Sequence, residues 1–143
     1  MNAAFKKIGL FVKHNDTSIR ETFQQLIQFL ETEDFEITIE EQSAKILEST
    51  SAKIISKKLL GKVNDLIIII GGDGSLLKAA RAIAEYKIPI LGINRGNLGF
   101  LTDIHPHEFK SKLTKILQGD YFVENRSLLK TTIIRNKKPT DNA

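Results

Sequence analysis

"LIIIIGGDGSLLKAARAIAE", residues 66–85, sets five apolar residues, four of them isoleucine, directly against Gly-Gly-Asp-Gly. A half-solvated strand alternates apolar and polar residues, so a run that is apolar on both faces predicts a central parallel strand covered by helices on either side. Ser75 to Tyr86 reads as the helix that follows. Its Ala79, Ala80, Ala82 and Ala84 let that helix lie close to the sheet.

Outward from this unit the same alternation recurs. "KKIGLFV" (6–12) is a short apolar run followed by the turn-prone "HNDTS", which predicts a first strand. Thr17 or Ser18 then caps a helix whose apolar Ile19, Phe23, Leu26, Ile27 and Leu30 follow helical spacing. "FEITIEE" (35–41) alternates Phe35, Ile37 and Ile39 against Glu36, Thr38 and Glu40, as a half-buried edge strand does. Ala44 to Leu60 suggests one or two helical pieces broken near "ESTS", and "IPILGI" (88–93) is another buried strand. "HPHEFKSKLTKILQ" (105–118) reads as a helix with Pro106 near its first turn. "YFVENRSLLKTTIIRN" (121–136) reads as one or two strands, and "KKPTDNA" (137–143) as a polar, unpatterned end or loop. Alternating strands and helices imply right-handed crossovers and an open, mostly parallel α/β sheet of Rossmann-like type with helices on both faces.

The composition agrees with a globular domain of this kind. The 143 residues suit one ordinary domain, with 41% hydrophobic and 27% charged residues. There is no cysteine, which excludes disulfides, zinc-thiolate sites and thiol nucleophiles. The apolar stretch Ile8–Val12 is too short for the core of a signal peptide, and no run approaches the roughly 18 apolar residues of a membrane span. A cytoplasmic protein without a membrane partner is the expectation. The net charge of +4 comes with lysines interleaved with acids and only short pairs such as Lys57-Lys58, without aromatics between them, so a nucleic-acid partner is not expected.

The glycine-acid turn carries the chemistry. In an open α/β sheet ligands bind beyond the carboxyl ends of the strands, where Gly71 to Gly74 would lie. Glycines let a ligand approach the backbone, and the helix behind them offers free N–H groups and a positive dipole end, which suits a phosphate. A pure anion cradle has no use for a carboxylate, so Asp73 needs a separate role. It can accept a proton from a hydroxyl attacking a phosphoryl group, hydrogen-bond a ribose hydroxyl, hold magnesium, or simply cap the helix. No Walker A sequence and no G-x-G-x-x-G are present. "HPH" (105–107) has only Glu108 beside it and reads as a pair of solvated histidines at a helix entry, not as a metal site.

"PILGINRGNLGFLTD" (89–103) repeats the logic: a buried strand enters a loop with Gly92, Gly96 and Gly99 among Asn94, Arg95 and Asn97. Phe100 is either an ordinary core residue or an aromatic wall for a base, its orientation fixed by the polar groups. "GGDGS" followed by "LGINRGNLGFLTD" strongly resembles the ATP-dependent NAD kinases, whose pattern is a GGDG[ST] turn and then a G-I-N-x-G-x-L-G-F-L loop. "KKIGLFVK" and "ENRSLL" also suit that family, so the resemblance spans nearly the whole chain.

The resemblance implies transfer of the ATP γ-phosphate to the 2′-hydroxyl of the adenosine ribose of NAD, giving NADP, with a divalent metal such as Mg2+. It implies that Asp73 is the proton acceptor and that Gly72, Gly74, Leu77, Lys78, Asn97 and Phe100 bind nucleotide, with Phe100 on the adenine side; Lys78 either faces the anionic ligand from the first helical turn or is an exposed surface lysine. It names no protein metal ligand, and it implies a homo-oligomer. Ser75 stands where the family usually has Thr, which preserves the hydroxyl. The family continues beyond "TDNA" into an Asn-Asp or Asn-Glu motif and a β-rich domain, so residues 1–120 are expected to form the α/β domain and 121–143 the start of the second. Such a piece is expected to be inactive alone. GGDG also occurs in diacylglycerol and sphingosine kinases and in phosphofructokinases; this chain has "FVKHNDTS" where a phosphofructokinase needs a glycine-rich loop, and lipid kinases usually lack "GINRGNLGF". From a different class, a non-catalytic nucleotide-binding or oligomerisation module remains an alternative.

Overall fold

The computed structural model describes residues 5–12, 19–94, 104–121, 123, 125, 131–135 and 138–142. Strands β1 (Lys7–Val12), β2 (Glu36–Glu40), β3 (Lys53–Ile55), β4 (Leu66–Gly71) and β5 (Ile90–Asn94) form one sheet in the order β3-β2-β1-β4-β5. Every pairing in it is parallel, with Leu10 opposite Ile39, Val12 opposite Ile70 and Gly71 opposite Asn94. The helices are α1 (Arg20–Thr32), the single turn α2 (Glu41–Ala44), α3 (Lys57–Val63), α4 (Asp73–Ile83) and α5 (Phe109–Leu117).

Every residue of β4 is buried, and its side chains divide between two cores. Leu66, Ile68 and Ile70 join Ile8, Leu10 and Val12 of β1 beneath α1 (Phe23, Leu26, Ile27, Leu30) and α5 (Phe109, Leu113, Leu117). Ile67 and Ile69 join Phe11 beneath α3 (Leu60) and α4 (Ala79, Ile83). The oily run is therefore the central strand of a double-wound sheet. Two-residue periodicity sends alternate isoleucines to opposite faces, each closed by a helix pair.

Gly9 of β1 allows α3 to approach closely. A Cβ there would lie 2.6 Å from Asn64 Nδ2, 2.7 Å from Ile67 Cδ1 and 2.9 Å from Leu60 Cδ1. Buried Asn64 donates to Thr38 Oγ1 (2.7 Å) and to the Leu60 carbonyl (2.8 Å), tying the end of α3 to β2.

Four expectations change. "FEITIEE" is not an edge strand: β2 lies between β1 and β3, and the edge is β3. The three residues of β3 are too few to show alternation, so Lys53–Ile55 fall within the helical reading of Ala44–Leu60, whose second piece is helical only from Lys57, where α3 begins. "IPILGI" ends the sheet on the other side, its Ile90 and Leu91 half-buried, with a bridge from Ile93 to Ile104 beyond it. Lys138–Asn142, read as unpatterned, form a strand β7 antiparallel to β6 (Thr131–Arg135), in a separate two-stranded sheet. The caps Thr17 and Ser18 lie outside the described residues.

"HPH" is a helix entry. Pro106–Glu108 form a 3-10 turn leading into α5, the Glu108 carboxylate accepts from the His105 amide at 3.1 Å, and Lys112 pairs with Glu108 at 3.1 Å. No helix among the described residues is long and apolar enough to cross a membrane.

Candidate active site

Two consecutive connections, from β1 to β2 and on to β3, run to one side of β1, whereas β4 and β5 lie on the other. The reversal falls between the carboxyl ends of β1 and β4, the place where open α/β sheets leave a crevice for ligand. Gly71 to Gly74 occupy that point.

The turn is built by close contact at one glycine and open space at two. Gly71 has φ 157°, and a Cβ there would lie 2.6 Å from Ser75 Oγ. Ser75 thus packs back against the strand end, and the chain leaves β4 directly into the helix. At Gly72 and Gly74 an added Cβ would meet no described atom within 4 Å. Gly72 is the N-cap of α4, with extended backbone (φ −104°, ψ −167°) that any residue adopts, and carries no side chain to cap the first amides. Asp73 is the first helical residue and lies in the acid-favouring first turn. It is not the N-cap, a position that falls to Gly72.

The helix separates its residues by face. Ala79 and Ile83 are buried on the sheet. Gly74, Leu77, Lys78 and Arg81 are exposed at positions i, i+3, i+4 and i+7, one continuous outward stripe starting at the turn. Three of the expected binding residues, Gly74, Leu77 and Lys78, therefore share a face, with Leu77 exposing 44% of its surface. Because the helix begins at Asp73 and not at Ser75, Lys78 stands in the second turn, not the first. Asn97 and Phe100 lie outside the described residues.

Two further groups reach this edge. Asn94, fully buried at the end of β5, stands in register with Gly71, and its amide donates to the Ile104 carbonyl at 2.7 Å. Lys57 opens α3 with its ammonium 5.6 Å from the Phe11 ring centroid, within the range of a cation–π contact. In sequence Lys57 is only half of a lysine pair; the signal that locates it is its position just after β3, a strand too short to recognise. Among the described residues, no group of three or more His, Asp or Glu side chains is placed to hold a metal ion. Asp65 and Glu108, whose carboxyl groups backbone hydrogen bonds hold below their usual range, lie elsewhere in the fold.

The sheet order, the double winding and the glycine turn at the switch point define a Rossmann-like α/β domain. The chain belongs to the NAD kinase family: the profile of the ATP-NAD kinase N-terminal domain matches residues 8–121. It is 44% identical over 135 residues to the NAD kinase of Marinobacter nauticus, covering 94% of this chain and 46% of that protein. To the NAD kinase of Azotobacter vinelandii it is 42% identical over the same shares. Its fold is similar to that in the crystal structure of yeast NADH kinase complexed with NADH, with a TM-score of 0.71 at 19% identity, over 84% of this chain and 40% of that one. The chain spans about half the length of the curated relatives it matches, 46% in these two.

Proposed function

We propose that this chain is the N-terminal part of an ATP-dependent NAD kinase, and that the crevice at Gly71–Gly74 receives phosphates of its nucleotide substrates. Gly72 and Gly74 carry this reading. Neither position has a described neighbour that a methyl group would strike, and neither needs a positive φ, so packing among the described residues accounts for neither glycine. At Gly74, inside α4, glycine costs up to about 1 kcal/mol relative to alanine. A ligand lying against the backbone at the amino end of α4 gives that cost a purpose.

In the complete enzyme Asp73 accepts the proton of the adenosine-ribose 2′-hydroxyl as its oxygen bonds to the γ-phosphorus of ATP. The bond from that phosphorus to the β,γ-bridging oxygen breaks, and its electron pair leaves with ADP. Leu77 offers an apolar surface beside the turn and Lys78 a positive charge on the same stripe; Asn97 and Phe100 contribute orientation and an aromatic wall from the following loop. One carboxylate at the turn fits a Mg2+ ion, which typically keeps several waters and binds through one or two carboxylates together with substrate phosphates. Bound in this way, the ion would supply neutralisation of charge on the transferring phosphate.

Residues 1–120 form the nucleotide-binding domain and 121–143 begin a β-rich second one, a division supported by the separate β6–β7 sheet. The complete protein works in the cytoplasm without nucleic-acid partners, a reading that rests on composition and charge patterning, and as a homo-oligomer, which the family resemblance implies.

The test is NADP formation from NAD, ATP and Mg2+ by this chain, alone and joined to the C-terminal half of a relative, each with and without Asp73→Asn. We expect product only from the joined protein, and a fall of at least about 100-fold on the Asp73→Asn substitution, the scale of a lost general base. Binding of both nucleotides without turnover in the joined protein would instead support the non-catalytic module.

A further inference from the structure

Val12 ends β1 at the mouth of the crevice. On the β4 side it is held by its register with Ile70, but on the β2 side the ladder stops at Leu10 and Ile39, because the chain turns at Glu40 into α2. A single side chain replaces the missing strand. Ser43 Oγ accepts from the Val12 amide at 2.9 Å and lies 3.2 Å from the Val12 carbonyl, so one hydroxyl occupies both backbone positions that β2 has vacated.

The hydroxyl is itself held from beneath. Glu40 Oε2 accepts from Ser43 Oγ at 2.8 Å and from the Ser43 amide at 2.9 Å, while Oε1 accepts from the Gln42 amide at 3.0 Å. Ser43 is fully buried and Glu40 is 2% exposed. Glutamate is rarely buried to this degree and is not among the favoured N-cap residues, so a four-residue helix gains little that a smaller cap would not supply. Two residues beyond α2, the Ile46 carbonyl accepts from Arg20 Nε at 2.9 Å. One segment, 40–46, therefore ties down both Val12, where β1 ends, and Arg20, where α1 begins.

We propose that Ser43, locked by Glu40, is a positioning residue for the crevice. It fixes the carboxyl end of β1 opposite the end of β4 and so sets the separation of the two strand ends between which nucleotide phosphates enter. The effect on affinity rests on the nucleotide reading above; the effect on geometry does not.

The experiment compares Ser43→Ala with Leu117→Ala in the whole chain. Leu117 lies at the far end of α5, near the edge where Tyr121 stacks on Phe5, and reports simple loss of core stability. Residue-resolved amide exchange without ligand should show Ser43→Ala speeding exchange at least tenfold at Val12 and also at Ile70 to Gly72, beyond the uniform rise that matches its change in melting temperature. Leu117→Ala should give only the uniform rise, and Ser43→Thr, which keeps the hydroxyl, should restore most of the protection. In parallel, NAD titration of the form joined to the second half should show at least tenfold weaker binding for Ser43→Ala than for Leu117→Ala. Exchange at Ile70–Gly72 that follows global stability alone in both variants overturns the proposal. If the unaltered joined protein fails to bind NAD, the nucleotide reading falls, while the exchange comparison still decides whether Ser43 positions the two strand ends.

Discussion

Gly9 in β1 and Gly61 in α3 lie in the packed α3–α4 layer, Gly72 and Gly74 in the turn at the carboxyl edge of the sheet, and a methyl group added to each pair meets opposite surroundings. At Gly9 it would strike Asn64, Ile67 and Leu60, and at Gly61 it would lie 2.6 Å from Tyr86 Cδ2 and 2.9 Å from Ile83 Cβ. At Gly72 and Gly74 no described atom stands within 4 Å. The first pair lets α3 pack closely on the sheet at Gly9 and against the end of α4 at Gly61. No described residue gives the second pair such a reason, which is what a ligand lying against the turn would require.

The largest expected effect breaks or keeps the first half of this comparison. Gly9→Ala should lower stability by about 1–3 kcal/mol, the usual range for overpacking, because Asn64 cannot move without losing its bonds to Thr38 and Leu60. A urea midpoint equal to that of the unaltered chain would show that the α3 contact is slack and the contrast false.

Gly74→Ala tests the other half, with the opposite sign for stability. The urea midpoint should stay or rise, by up to about 1 kcal/mol in stability, since alanine is the better helix former. NAD affinity of the complete enzyme should fall about tenfold or more, which corresponds to about 1.4 kcal/mol. Unchanged affinity would make Gly74 an accident of sequence.

The smallest effect concerns the opposite edge of the sheet, where polar groups are committed to structure. Asp65 Oδ2 accepts from the Lys6 and Lys7 amides at 3.0 Å each, and those backbone hydrogen bonds, Lys7 first, hold its carboxyl below the usual range. A depressed folded value means that the stabilisation is fully present above the ordinary carboxylate range and is lost as pH falls from there through the lowered folded value. Solvent screening keeps it within about 1 kcal/mol. Asp65→Asn should flatten that part of the stability-against-pH curve, read from melting temperatures at pH 3 to 6; an unaltered slope would show that the clamp contributes nothing.

Where elements are long and strongly patterned, the sequence suffices. Ile19, Phe23, Leu26, Ile27 and Leu30 are all buried beneath α1, and the isoleucine run is the central strand. The family is also legible, from two glycine-rich motifs in order. Weak spots are short elements: β3 has three residues and α2 four, too few for either period to show, and missing β3 misplaces the edge of the sheet. In the site, the turn and its acid are legible from residue type alone, but the helix start is not. Gly72, which lacks a side chain to act as cap, nonetheless opens α4, and Asp73 thereby moves inside the helix.

By itself the sequence determined the double-wound parallel class, the central strand and the glycine-acid turn, because those follow from side-chain periodicity and from the conformations that glycine permits. Only the tertiary structure decided which glycines serve packing and which leave open space, and which polar residues are spent on the fold. Ser43 and Glu40 show why: a serine and a glutamate in a short polar stretch carry no local signal. Their meaning arises from Val12, 31 residues away from Ser43 in the chain, whose backbone groups would otherwise face the place that β2 has left.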